Sequence, residues 1–162
     1  VYENGNVPAS GECTDAFFAA LLKRGWSRFQ LKWYGDPLPS ARQLCPRTVE
    51  LIESIPEIRA AAFTIVPPGG VVDKHRDPLA SCIRYHLGLS TPNSDDCRIL
   101  VDGQPYAWRD GEDVAFDETY VHWVRNDTDR TRIILFCDVA RPLHTALMRS
   151  LNRWVGDHLV SQ

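Results

Sequence analysis

Apolar residues recur every three or four positions through the first third of the chain, and every two positions from residue 59 onward. The first period predicts helices. Thr14 or Asp15 can cap a segment in which Phe17, Phe18, Leu21 and Leu22 form one stripe, with Gly25 as its stop. A second helix opens at Pro46, runs through Val49, Leu51 and Ile52, and ends at Pro56. The second period predicts strands at 59–66, 82–89, 97–101, 105–108, 113–117, 120–125 and 132–139. The punctuation between them is turn chemistry: PPGG at 67–70, PNSDD at 92–96, DG at 102–103 and at 110–111, and ND at 126–127. A last helical segment, 142–160, carries Leu143, Leu147, Leu151, Trp154, Val155 and Leu159 along one side. The predicted class is α+β, mainly β: one domain with a helical part at 1–58, a β core at 59–140 of the sandwich or jelly-roll kind, and a C-terminal helix at 142–160.

Composition narrows the function classes. A chain of 162 residues can bury about two-thirds of its unfolded surface as one domain. Its net charge of −3 offers no positive field for nucleic acid, and nothing predicts a stable protein partner. The five cysteines (Cys13, Cys45, Cys82, Cys97 and Cys137) contain no C-x-x-C, which suits reduced thiols of a cytosolic compartment. No apolar run approaches the roughly 18 residues of a membrane span, and no signal peptide is visible. The chain begins at Val1 and reads as a soluble catalytic fragment, with any anchor lying outside it. Asn126-Asp127-Thr128 fits a glycosylation acceptor but reads as a turn in this context.

Candidate chemistry is concentrated in "DKHRDPLASCIRYHLGLST", residues 73–91. In the strand "CIRYHLGL", Ile83, Tyr85, Leu87 and Leu89 share a face expected to pack into the domain. Arg84, His86 and Gly88 share the other face, which alternation alone makes a half-solvated surface. Upstream, His75 and Asp77 stand at i and i+2, and in an extended segment both point the same way. His122 lies in a second candidate strand. Two imidazoles and a carboxylate are the ligand set of the facial triad that holds non-haem Fe(II) with open positions. The plainer reading of Asp77 is a carboxylate bonded to water, or paired with Arg76 or Lys74.

Arg132 heads a strongly apolar strand and shares a face with Ile134, Phe136 and Asp138. A guanidinium there needs an anion. Asp117, Glu118 or Asp138 could provide it, or the carboxylate of a ligand. Together these residues suit Fe(II) and a dicarboxylate co-substrate such as 2-oxoglutarate.

These stretches have a family likeness. "VPPGGVVDKHRDPLASCIRYHLGLSTPNSDDCRI", "WRDGEDVAFDETYVH" and "RIILFCDVARPL" resemble the aspartyl/asparaginyl β-hydroxylases, a family of Fe(II)- and 2-oxoglutarate-dependent dioxygenases. "LKWYGDPLPSARQLCP", "HRDP", "FDETYVHWVRNDTD" and "NRWVG" are most similar to the bacterial lipid A 2-hydroxylase branch. The resemblance implies a distorted double-stranded β-helix. It implies that His75 and His122 bind iron, that Arg84, His86 and Arg132 hold 2-oxoglutarate, and that Thr64 contacts the same distal carboxylate as Arg132. Asp77 stands where animal members have glycine and supplies a possible third ligand, whereas the animal cysteine pair has no counterpart.

The implied reaction uses O₂ and 2-oxoglutarate, with ascorbate as reductant. It hydroxylates an unactivated C–H, here C2 of a secondary acyl chain of lipid A or another acyl lipid at a membrane surface. The implied location is the cytoplasmic face of the bacterial inner membrane. Two rivals stay open: β-hydroxylation of Asp or Asn in a peptide or small acid, and a non-catalytic or isomerase-type barrel that binds a metal or sugar.

Three further features have paired readings. Arg141, Arg149, Arg153, His144 and His158 surround the stripe of the C-terminal helix, which either lies on an anionic membrane or covers a sheet face. Among the aromatic residues, Trp33 and Trp123 are groove candidates and the rest read as core. Asp117 and Glu118 either orient the metal histidine or end a solvated strand.

Overall fold

The computed structural model describes residues 26–156 and 158. Among the described residues, nine strands form two sheets. A five-stranded antiparallel sheet has the order β1 (Ser27–Trp33), β2 (Ile58–Val66), β9 (Arg132–Ala140), β4 (Cys82–Ser90), β7 (Asp113–Phe116). A four-stranded antiparallel sheet has the order β3 (Val71–His75), β8 (His122–Asn126), β5 (Cys97–Val101), β6 (Gln104–Ala107). Three helices are described: α1 (Pro39–Leu44), α2 (Pro46–Glu53) and α3 (Ala146–Val155). The mainly-β, jelly-roll class is what the two-residue period predicts.

The two-residue period also decides which face does what. On β9, Ile134 packs between the sheets with Val66, Val72, Ile99, Trp108 and Val124. The alternate residue Cys137 belongs to a second cluster with Phe29, Leu31, Val49 and Ile52, where α1 and α2 cover the outer face of the larger sheet. Proline at the start of each of these short helices presets φ where no backbone donor is needed. Between β5 and β6, Asp102 (φ 49°) and Gly103 (φ 80°) make the tight turn that the DG pair signals.

Several expectations change. On β4 the Tyr85 face packs into the cluster beneath the helices, as expected, whereas His86 and Gly88 are buried between the sheets and form no half-solvated surface. The reason is that helices need an apolar floor, and the inter-sheet space holds the polar site. Strands β1 and β3 and helix α1 were not foreseen, so the 1–58 segment is not purely helical. The predicted helix at 14–25 lies outside the described residues, and α3 is shorter than 142–160, part of which also lies outside them. Asn126 is not a surface acceptor: it is fully buried, and its Nδ2 reaches the carbonyl oxygens of Val66, Pro67 and Arg130 at 2.8–3.1 Å.

Helix α3 is capped by Thr145, whose hydroxyl accepts from the Met148 amide at 3.2 Å. None of its residues is buried. No described helix is long and apolar enough to cross a membrane. Cys45, Cys82, Cys97 and Cys137 are free thiols, and burial pushes Cys137 up to about 12.

Candidate metal centre

Antiparallel pairing of β3 with β8 sets His75 directly opposite His122. Their rings stand 4.1 Å apart between centroids. Asp77 follows in the loop after β3, its amide donating to the Glu118 carbonyl at 3.0 Å. The Nε2 atoms of His75 and His122 each lie 3.9 Å from a different Asp77 oxygen. Ligand atoms of all three residues fall within 4.8 Å of one another. Sequence spacing and sheet register therefore agree on this cluster.

The tautomers are set from behind. His75 Nδ1 contacts the Asp73 carbonyl at 2.7 Å, and His122 Nδ1 contacts the Tyr120 carbonyl at 2.9 Å. A carbonyl only accepts, so each Nδ1 carries a proton and each Nε2, which faces Asp77, is the ring atom left for a metal. Burial, opposed in part by the Tyr120 contact, lowers the His122 pKa and favours the neutral ring that a metal requires.

Beside the cluster runs an ionic chain. Arg84 Nη2 donates to Asp77 Oδ2 at 3.2 Å and to Glu118 Oε2, and its Nε donates to Asp138 Oδ1 at 2.7 Å. The guanidinium lies 4.0 Å from the Phe136 ring centroid. Tyr34 completes the chain, donating its hydroxyl to Asp138 Oδ2 at 3.1 Å. One arginine against three carboxylates (Asp77, Glu118 and Asp138) leaves a formal charge of −2. A divalent cation between His75, Asp77 and His122 would offset it, so donor set and charge both fit a metal ion.

Arg132 is placed differently. Its Nη2 donates to the Thr64 hydroxyl at 3.2 Å, and its guanidinium stands 4.3 Å from the Trp108 ring centroid. It is 2% exposed, and its Nε has no hydrogen-bond partner. None of the three carboxylates weighed for it is its partner: Glu118 and Asp138 hold Arg84, and Asp117 holds Arg141. Burial pulls Arg132 down to about 10, so it remains a cation at neutral pH. A cationic fork with an idle donor beside a hydroxyl is what a ligand carboxylate would fill.

His86 is buried with its Nδ1 unpartnered, 5.2–5.9 Å from the ring centroids of Trp108, Phe116 and Phe136. Burial above all, then the Arg132 and Arg84 cations, drives its pKa well below the ordinary value and keeps it neutral. Thr64, His86, Arg84, Arg132 and the metal-ligand cluster line one cavity of about 60 Å³ between the sheets.

All seven sequence candidates thus meet in one place. Arg84 differs from the rest in having its donors engaged by protein carboxylates. Asp77 is paired with Arg84, not with the Arg76 or Lys74 that were weighed. Glu118 is fully buried and holds Arg84 instead of touching His122, while Asp117 binds Arg141 and the Thr119 turn. Phe116, Phe136 and Trp26 line the cavity, yet none was singled out for it. For Phe136 the signal was available, since it shares the Arg132 face of β9.

Over residues 3–142 the sequence matches the family described as aspartyl/asparaginyl beta-hydroxylase. An ornithine lipid ester-linked acyl 2-hydroxylase of Rhizobium tropici is 37% identical over 119 residues, covering 73% of this chain and 42% of that relative. Human aspartyl/asparaginyl beta-hydroxylase is 31% identical over 132 residues, covering 78% of this chain and 17% of the relative. The chain thus spans less than half the length of either. Among solved structures, a cupin domain of an XRE-family transcriptional regulator from Enterobacter cloacae aligns with a TM-score of 0.50 at 14% identity, over 72% of this chain and 98% of that one. That likeness concerns the fold, which is cupin-like. The family match runs through every residue of the cavity from β2 to β9, and on that ground the chain belongs to the aspartyl/asparaginyl β-hydroxylase family of hydroxylases.

Proposed function

We propose that this domain is an Fe(II)- and 2-oxoglutarate-dependent dioxygenase that hydroxylates C2 of a lipid-borne acyl chain. The observation that carries the reading is the juxtaposition of two facing histidines and Asp77 with a buried arginine that lacks an anion. His75, Asp77 and His122 would hold Fe(II), and Arg132 with Thr64 would take the distal carboxylate of 2-oxoglutarate. With O₂ and 2-oxoglutarate, the metal supplies the oxidation that replaces C–H by C–OH, with ascorbate as a supporting reductant.

The chain's own residues do the rest. Arg84 fixes Asp77 against rotation by holding it in the same grip as Glu118 and Asp138. Trp108, Phe116 and Phe136 keep the neutral His86 and the cavity floor apolar, which limits water around a reactive centre. The acyl-lipid substrate is supported by the Rhizobium relative, whose own activity is ester-linked acyl 2-hydroxylation of ornithine lipid. The secondary acyl chain of lipid A, presented at the cytoplasmic face of the inner membrane, is the substrate in the sequence resemblance. β-Hydroxylation of a peptide Asp or Asn is the second reading, favoured by the human relative.

Anaerobic titration with Fe(II) and 2-oxoglutarate, followed by visible charge-transfer absorption, tests the centre. The band is expected in the wild type, absent in His122→Ala and weakened in Arg132→Ala. Folded protein without a band would overturn the reading. Mass spectrometry of lipid A, ornithine lipid and an Asp-containing peptide after aerobic turnover then separates the substrates by which one gains an oxygen atom.

A further inference from the structure

A second, larger concavity of about 440 Å³ lies where α3 meets the ends of β4 and β9. Four arginines line it, Arg59, Arg141, Arg149 and Arg153, with Glu57 as the single acidic residue among the described lining. Four positive charges less Glu57 and the Asp117 that pairs with Arg141 leave a formal +2.

The groove is built, not incidental. Arg141 is fixed by the carbonyls of Ala80 and Cys82 (2.7 and 3.2 Å) and by Asp117 (2.7 Å), which leaves its Nη1 without a protein partner among the described residues. Arg149 is held by the Leu143 and His144 carbonyls at 2.8 and 3.3 Å. Arg153 has no ionic or hydrogen-bonding partner among the described residues. Asn152 ties α3 to the start of β4 through the Ser81 carbonyl at 2.9 Å. Gly156 lets the helix end approach closely: a Cβ there would stand 3.3 Å from Arg59 Nη2 and 3.5 Å from the Tyr34 ring.

Two observations say what such a groove takes. Guanidinium forks match the oxygens of phosphate and carboxylate, and a surplus of them in one concavity calls for an oxyanion. The same helix that contributes Arg149 and Arg153 also exposes Leu147 (79%), Met148 (46%), Leu151 (60%) and Trp154 (51%). Basic and apolar faces side by side suit an anionic amphiphile better than a free anion. The groove is also wired to the metal centre, because Tyr34, which lines it, donates to Asp138, and Asp138 holds the Arg84 that grips Asp77.

We propose that this groove is the subsite for the phosphate or carboxylate headgroup of a membrane lipid. The inference rests on the acyl-lipid reading above and names the part of the substrate held away from the metal.

The test uses the purified chain in three binding measurements: flotation with neutral phosphatidylcholine vesicles, flotation with vesicles containing phosphatidylglycerol, and calorimetry with inorganic phosphate and glycerol 3-phosphate. Wild type is expected to float with the anionic vesicles, less so at high salt. Arg153→Glu and the double variant Arg149→Gln/Arg153→Gln are expected to lose on the order of tenfold or more in affinity, the scale of one charge-assisted contact. Leu151→Ser/Trp154→Ser should weaken vesicle binding while leaving glycerol 3-phosphate unaffected. Unchanged melting and unchanged Fe(II)/2-oxoglutarate absorption would show that the arginine variants are folded and loaded. Equal vesicle binding by wild type and Arg153→Glu would overturn the proposal, as would inorganic phosphate binding alone, which would point to a free anion. Arginine-dependent vesicle binding without the charge-transfer band would sink the dioxygenase reading and leave the groove standing.

Discussion

Arg132 and His86 show how a buried residue can be placed for something other than stability. Desolvating a cation without a partner costs several kcal/mol, and Thr64 and the Trp108 face offset only part of it. Arg132→Met is therefore expected to leave stability unchanged or raise it by about 1–3 kcal/mol in urea unfolding. The same variant should lose about 100-fold in 2-oxoglutarate affinity by anaerobic titration, the equivalent of about 3 kcal/mol. His86 gives a pH signature with a definite sign. Its folded pKa is depressed, so the unfolded chain takes up a proton near pH 6.5 that the folded protein refuses. Stability from this group is complete above that pH and falls as pH drops towards the folded value, by up to about 1.4 kcal/mol per unit. Urea midpoints of the metal-free protein at pH 7, 6 and 5 should show a shallower decline in His86→Gln than in the wild type.

At the level of elements, the strand carrying His122 is anchored at its far end by Asn126, whose side-chain amide reaches three carbonyls of the β2–β3 and β8–β9 turns. Asn126→Ala would strand those acceptors in a buried site, and a loss of about 2–3 kcal/mol is expected by thermal or chemical unfolding. Legibility differed from element to element for physical reasons. β9, with Ile133, Ile134, Phe136 and Val139, declared itself by composition, β4 by its strict alternation, and the DG hairpin by its turn residues. β3 did not: "VVDKH" has two apolar residues before charge sets in, and its partner β8 supplies what local propensity lacks. β1 does alternate, through Phe29 and Leu31, but stands between helical patterns that mask it. The metal ligands were legible because His-x-Asp on extended backbone converges by geometry. Glu118 was not, because an acidic residue at a strand end normally faces water, and only the fold brings Arg84 to it. On β4, alternation separates the Tyr85 face, which packs into a core cluster, from the Arg84 and His86 face, but it does not say that the second face is buried between sheets.

For the molecule as a whole, the cluster joins parts of the chain that contact one another only in the folded state. A divalent ion that binds there stabilises the native state alone, by about 2.7 kcal/mol at a hundredfold excess over its dissociation constant. For a chain of this length that corresponds to a rise in Tm of about 5–10 °C. Differential scanning fluorimetry with Co(II) or Fe(II) should show the rise in the wild type, no rise in His122→Ala, and its reversal by a chelator.

The register of His75 against His122 has one more consequence. Among the described residues β3 is an edge strand, paired with β8 alone, and that pairing is irregular between Val72 and His75. A slip of one residue would turn His75 to the opposite face. Ligation would forbid that slip, so amide exchange along 71–75 should slow when metal is loaded. The ion then guards an open border of the sheet against strand exchange with other chains, and a demetallated pool would be the first to aggregate.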